Sequence, residues 1–86
     1  MIKILKFEAE WCNSCKFLDS QIEGIDLPIE HVDADVEDDL VNKYDVLSLP
    51  TLIFADENGE IKERIVGVPC NPKQTIIDTY NKLNAV

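Results

Sequence analysis

Positive charge is scarce in this chain, and long apolar runs are missing. Eight lysines and arginines stand against seventeen aspartates and glutamates, for a formal charge of −9. Such a surface repels phosphate backbones and anionic head groups, so no nucleic acid and no membrane is expected as a partner. No apolar segment approaches the roughly 20 residues of a membrane span. The opening Met1-Ile2-Lys3-Ile4-Leu5-Lys6 mixes lysines into its apolar residues and meets Glu8 too early for a secretory core and cleavage site, so the expected location is cytoplasmic. Only three glycines and four prolines are present, without repeats, which excludes low-complexity and repeat architectures. Eighty-six residues allow one core and not two, so residues 1–86 are read as a single domain. Cysteine is also sparse and odd in number, at three. In a reducing compartment a structural disulfide is not expected, so a close cysteine pair reads as catalytic or metal-binding.

That pair lies in Trp11-Cys12-Asn13-Ser14-Cys15-Lys16. Two cysteines three positions apart at a helix start can close and reopen a disulfide without moving the fold. Unpaired N–H groups and the positive end of the helix dipole favour a thiolate on the first, Cys12. Cys12 is therefore expected to be exposed and partly ionised, and Cys15, one turn deeper, more shielded. Around this motif the pattern predicts seven elements. An apolar run over 2–8 reads as a strand buried on both faces. A helix follows with Cys15, Leu18 and Ile22 inward and Gly24 at its left-handed end. Residues 29–33 alternate as a second strand, and Asp35 is expected to cap a helix over 36–44 whose apolar stripe is Val36, Leu40, Val41 and Tyr44. Strands over 52–55 and 61–66 flank the turn signal Asn58-Gly59. Asn71, Pro72 and Gln74 predict a capped last helix with Ile76, Ile77, Tyr80 and Leu83 inward. The order is βαβαββα: a parallel pair with a helical crossover, then an antiparallel hairpin, with helices on both faces of the sheet.

With Phe7-Glu8-Ala9-Glu10-Trp11-Cys12, Cys15-Lys16, Val46-Leu47-Ser48-Leu49-Pro50-Thr51-Leu52, Asn58-Gly59-Glu60 and Val66-Gly67, that order resembles the thioredoxin family over nearly the whole chain. The resemblance implies an α/β thioredoxin fold with a four-stranded mixed sheet in the order 4-3-1-2, strand 3 antiparallel. It implies a thiol-disulfide oxidoreductase in which Cys12 attacks a substrate disulfide and Cys15 then resolves the mixed disulfide. Trp11, Leu49, Pro50 and Gly67 become the substrate-binding surface, with Pro50 in a cis bond against the disulfide. A peptide beside Leu49 would add as an extra strand. Protein disulfides are the implied substrates and a flavoprotein of the thioredoxin-reductase type the implied reductant, with a monomer, no cofactor and no metal.

Four departures from the family pattern bear on function. The chain starts at the central strand without the family's leading strand and helix, so one face of the sheet is expected to be less covered. Asn13-Ser14 replaces the usual Gly-Pro between the cysteines, freeing an N–H that can solvate the thiolate and making the pair a weaker reductant. Lys6 stands where the family carries a buried carboxylate, and His31 where that carboxylate's lysine partner would be. Lys6 either tunes Cys15 electrostatically, alone or with Glu8 or His31 through water, or it snorkels to solvent beside an ordinary strand histidine; the second is the expectation. Cys70, in the loop after Gly67, is expected to be a small, partly buried residue rather than a regulatory thiol.

The main alternative function is a glutaredoxin-like, glutathione-dependent reductase, against which the Trp-Cys start and the missing Gly-Gly-acidic motif weigh. A zinc site of Cys12, Cys15, Cys70 and His31 has the right count, but Cys70 and His31 are isolated in sequence. A non-catalytic interaction domain on the same fold is the third class, and the paired cysteines weigh against it.

Overall fold

A computed structural model describes residues 1–85. Its elements are β1 (Lys3–Glu8), α1 (Asn13–Gln21), β2 (Ile29–Asp33), α2 (Asp38–Lys43), β3 (Thr51–Ala55), β4 (Ile61–Val66) and α3 (Pro72–Asn84). The sheet runs β2-β1-β3-β4, with β1 parallel to β2 and antiparallel to β3, and β3 antiparallel to β4. This is the order the resemblance implies, read from the opposite edge. Among the described residues no helix is long and apolar enough to cross a membrane.

The two central strands carry the apolar runs because both their faces are covered. Successive side chains alternate, so Ile4 with Leu52 and Phe54 faces α1 and α3, packing on Leu18, Ile22, Ile76 and Tyr80. Leu5 and Phe7 with Ile53 and Ala55 face the other way, onto Val32, Tyr44 and Val46. On that second face α2 has no fully buried residue and contributes the partly buried Leu40 and Val41. The hairpin turn forms at Asn58-Gly59, where the Asp56 carboxylate accepts the N–H groups of Asn58 and Glu60, both at 2.9 Å.

The same alternation corrects the expectation for Lys6. Its side chain follows Ile4 on the α1 face of a central strand, with β2 on one side, β3 on the other and α1 above. Lys6 is 0% exposed. It does not snorkel.

Two helix starts also differ from expectation. The second helix begins at Asp38 and not at 36, because Asp33 turns the chain first: its carboxylate accepts the Asp35 N–H at 2.9 Å, and its carbonyl accepts the N–H groups of Val36 and Glu37. Val36 is left exposed and off the apolar stripe. At α3, Asn71 adopts a left-handed conformation with φ 46° and makes no side-chain cap, while Gln74 reaches forward to Asp78 at 2.8 Å. The turn is held instead by the Thr75 hydroxyl donating to the Cys70 carbonyl at 2.6 Å. Cys70 is fixed there by its backbone and its side chain is exposed, contrary to expectation.

Candidate redox site

Cys12 is the N-cap of α1, in extended conformation with φ −87° and ψ 101°. Its Sγ accepts the Cys15 N–H at 3.2 Å and lies 3.4 Å from the Ser14 hydroxyl. The sulfur thus takes the place that a serine or aspartate oxygen takes in an ordinary cap, and the helix end that would favour such an oxygen favours a thiolate. Cys12 and Cys15 are joined in a disulfide, with their Cα atoms 5.3 Å apart. The expectation of an exposed attacking sulfur needs correction: Cys12 is 5% exposed and Cys15 2%. Ala9 and Leu49 pack against the pair and close over both. Ser14 offers its hydroxyl to the sulfur as well as a freed N–H, a contact that the residue spacing does not reveal.

Trp11 stands exposed beside the disulfide, its indole N–H donating to the Asp35 carboxylate at 2.9 Å. Asp35, expected as a helix cap, is therefore a tether, and the Asp33 turn that displaced the helix start is what delivers it. Opposite, the Leu49–Pro50 peptide is cis. The Pro50 carbonyl accepts the Gly67 N–H at 2.8 Å, which binds the Pro50 loop to the end of β4. Gly67 has φ +82°, a left-handed conformation that disfavours a side chain. Leu47 and Val66 are exposed apolar residues on the same rim, bordering a groove with Ser48 and Thr51.

Behind Cys15 lies a charged cluster. The Lys6 ammonium pairs with Glu8 Oε1 and, at 3.1 Å, with Asp19 Oδ1 on α1. His31, the register partner of Lys6 on β2, places Nδ1 2.9 Å from the same Glu8 Oε1. Burial pushes the Glu8 carboxyl up, but hydrogen bonds from His31 and Lys6 and their charge outweigh it, so the carboxyl sits below its ordinary 4.5. A carboxyl depressed in the folded state contributes stability above its unfolded value and loses it as pH falls through the folded one. Urea unfolding is therefore expected to show stability falling below about pH 4.5, and falling less in Glu8→Gln. Equal losses in both proteins would remove Glu8 from the acid-sensitive groups.

The Cys3His set is not brought together. His31 groups with Glu8 and Asp19, whose ligand atoms lie within 4.8 Å of one another, and no cysteine belongs to that group. The Lys6 ammonium already supplies a cation to those carboxylates.

Comparison with known proteins agrees with this geometry. The family model described as Thioredoxin matches residues 1–82. Thioredoxin of Bacillus subtilis is 32% identical over 87 residues, spanning 94% of this chain and 81% of that protein. Thioredoxin of Mycoplasma genitalium is 35% identical over 83 residues, spanning 91% and 78%. Among solved structures, a mutant thioredoxin of Halobacterium salinarum superposes with a TM-score of 0.79 at 26% identity, covering 94% of this chain and 73% of that one.

Proposed function

This chain belongs to the thioredoxin family, and from that premise we propose how its site works as a thiol-disulfide oxidoreductase acting on protein disulfides. Cys12 attacks the substrate disulfide and Cys15 resolves the mixed disulfide, releasing the substrate as a dithiol. The observation that carries this assignment is Cys12 Sγ at the N-cap, accepting the Cys15 N–H and bonded to Cys15 itself. Only the first of the two sulfurs has the helix end to stabilise its anion. Trp11, Leu49, Pro50 and Gly67 form the substrate surface, an extended peptide lying beside Leu49. Asn13, Ser14 and Lys6 tune the pair, with the Ser14 hydroxyl favouring the reduced form by solvating the Cys12 thiolate. Residues 1–86 act as one thioredoxin-like domain, a cytoplasmic monomer recharged by a flavoprotein of the thioredoxin-reductase type.

Redox titration against glutathione, paired with insulin reduction, tests the reading. The Cys12/Cys15 couple is expected to be more oxidising than the roughly −270 mV typical of thioredoxin, and insulin reduction is expected with a thioredoxin reductase and not with glutathione alone. No insulin turnover under any reductant would leave a scaffold role. Turnover with glutathione alone would favour the glutaredoxin-like alternative.

A further inference from the structure

We propose that a cavity at the end of the sheet away from the disulfide binds a small phosphate, free or esterified, through the Lys3 and Lys43 ammonium groups and the Tyr44 hydroxyl. The cavity, of about 570 Å³, lies between the start of β1 and the Asn58-Gly59 turn. Cys12 and Cys15 follow the other end of β1, so the site stands apart from the redox chemistry and does not rest on it.

Tyr44 carries the inference. It is 4% exposed, its ring is edge-on to Phe7 at 6.1 Å, and its carbonyl is held by the Arg64 guanidinium. Its hydroxyl nevertheless borders the cavity and makes no hydrogen bond among the described residues, which leaves a fixed donor for a ligand. Gly59 opens the floor below it. A Cβ there would lie 3.3 Å from Lys43 Nζ and 3.9 Å from the Tyr44 hydroxyl oxygen, so both donors border one spot. Lys43 lies over the Tyr44 ring, its Nζ 5.2 Å from the centroid, and Lys3 enters from β1. Neither lysine forms an ion pair among the described residues.

The two carboxylates at the rim are already engaged. Asp56 accepts the Asn58 and Glu60 N–H groups and pairs with Lys62 at 3.7 Å, and Glu57 pairs with the Met1 ammonium at 2.8 Å. In a chain of net charge −9, two uncommitted ammonium groups beside an uncommitted hydroxyl mark an anion site. A phosphate group matches it, bringing nearly two negative charges at neutral pH to two ammonium groups and three acceptor oxygens to three donors. A carboxylate brings one charge and two oxygens. The cavity has the size of a small-molecule site and is larger than a phosphate alone would fill, and Ile2 and Pro28 give it an apolar wall, which favours an ester. The overall negative charge turns away a polyanion.

An amide-shift titration of the full chain by NMR tests this, with ionic strength held constant by sodium chloride. Inorganic phosphate and phenyl phosphate are the probes, and benzoate is the control. Saturable shifts at Lys3, Lys43, Tyr44 and Gly59 are expected with a phosphate probe at concentrations below about 10 mM. Tighter binding of phenyl phosphate assigns the ligand as an ester, and equal binding assigns it as free phosphate. Tyr44→Phe removes only the hydroxyl, and Lys43→Gln only an exposed charge. Each is expected to weaken phosphate binding at least about tenfold. The proposal is overturned by the absence of saturable shifts with both phosphates, by benzoate binding as tightly as phenyl phosphate, or by either variant binding as the parent does. Should Tyr44→Phe fail to fold by circular dichroism, Lys43→Gln decides alone.

Discussion

A Cys15→Ser variant is expected to capture a substrate and fail to let it go. The resolving sulfur sits on the next turn, its Cα 5.3 Å from that of Cys12, and no rearrangement is needed to bring the two sulfurs together. Well-oriented intramolecular reactions proceed with effective molarities of about 10⁵ M or more. An external thiol at about 1 mM cannot substitute for such a neighbour, so insulin turnover should fall at least about a thousandfold. What remains is a covalent complex with substrate, visible on a non-reducing gel and released by dithiothreitol. Cys12→Ser should behave differently: no complex forms, because Cys15 is buried behind it and lacks the helix-end stabilisation. Turnover by Cys15→Ser within about tenfold of the parent would show that the release step does not use Cys15.

What could be read from the sequence was what local physics decides. The apolar density of residues 2–8 has one solution in a small sheet, the centre, and Asn58-Gly59 has few conformations open to it besides a hairpin turn. The cysteine spacing put both sulfurs on one turn. What escaped was decided by contacts distant in sequence. Lys6 reads as a snorkelling lysine until β2, β3 and α1 are placed around it, because period-two alternation says which residues share a face and not what lies above that face. Glu8, Asp19 and His31 are scattered over 23 positions, and only the β1–β2 register and the pitch of α1 bring them to one ammonium. Asp35 carried a true cap signal, but Asp33 two residues earlier satisfied the backbone first, and Asp35 went to the Trp11 indole. Competing capping signals within two residues cannot be ranked from composition. The capping failure at Asn71 is of the same kind: Thr75 held the turn through the Cys70 carbonyl, and Gln74 turned to Asp78.

Lys6→Met is expected to lower the stability of the fold measurably. Methionine matches the length of the buried stem, so packing is nearly preserved and the change isolates the charge. Without the ammonium, Glu8 and Asp19 keep their negative charges on the same small volume with no cation between them. Removing one partner of a buried ionic set costs about 3–5 kcal/mol. The loss here falls below that range, about 2 kcal/mol, because the carboxylates left behind are 26% and 44% exposed and His31 still reaches Glu8. Against a total of about 5–15 kcal/mol for a domain this is a large fraction. At about 4–8 °C per kcal/mol for a domain of this size it corresponds to a Tm lower by roughly 8–16 °C. Adding Glu8→Gln and Asp19→Asn to Lys6→Met should return most of the loss, since the penalty lies in uncompensated charge and not in lost volume. A single variant within about 1 kcal/mol of the parent, or a triple variant no better than the single, would mean that Lys6 is held by its aliphatic stem and that the ion pairs contribute little.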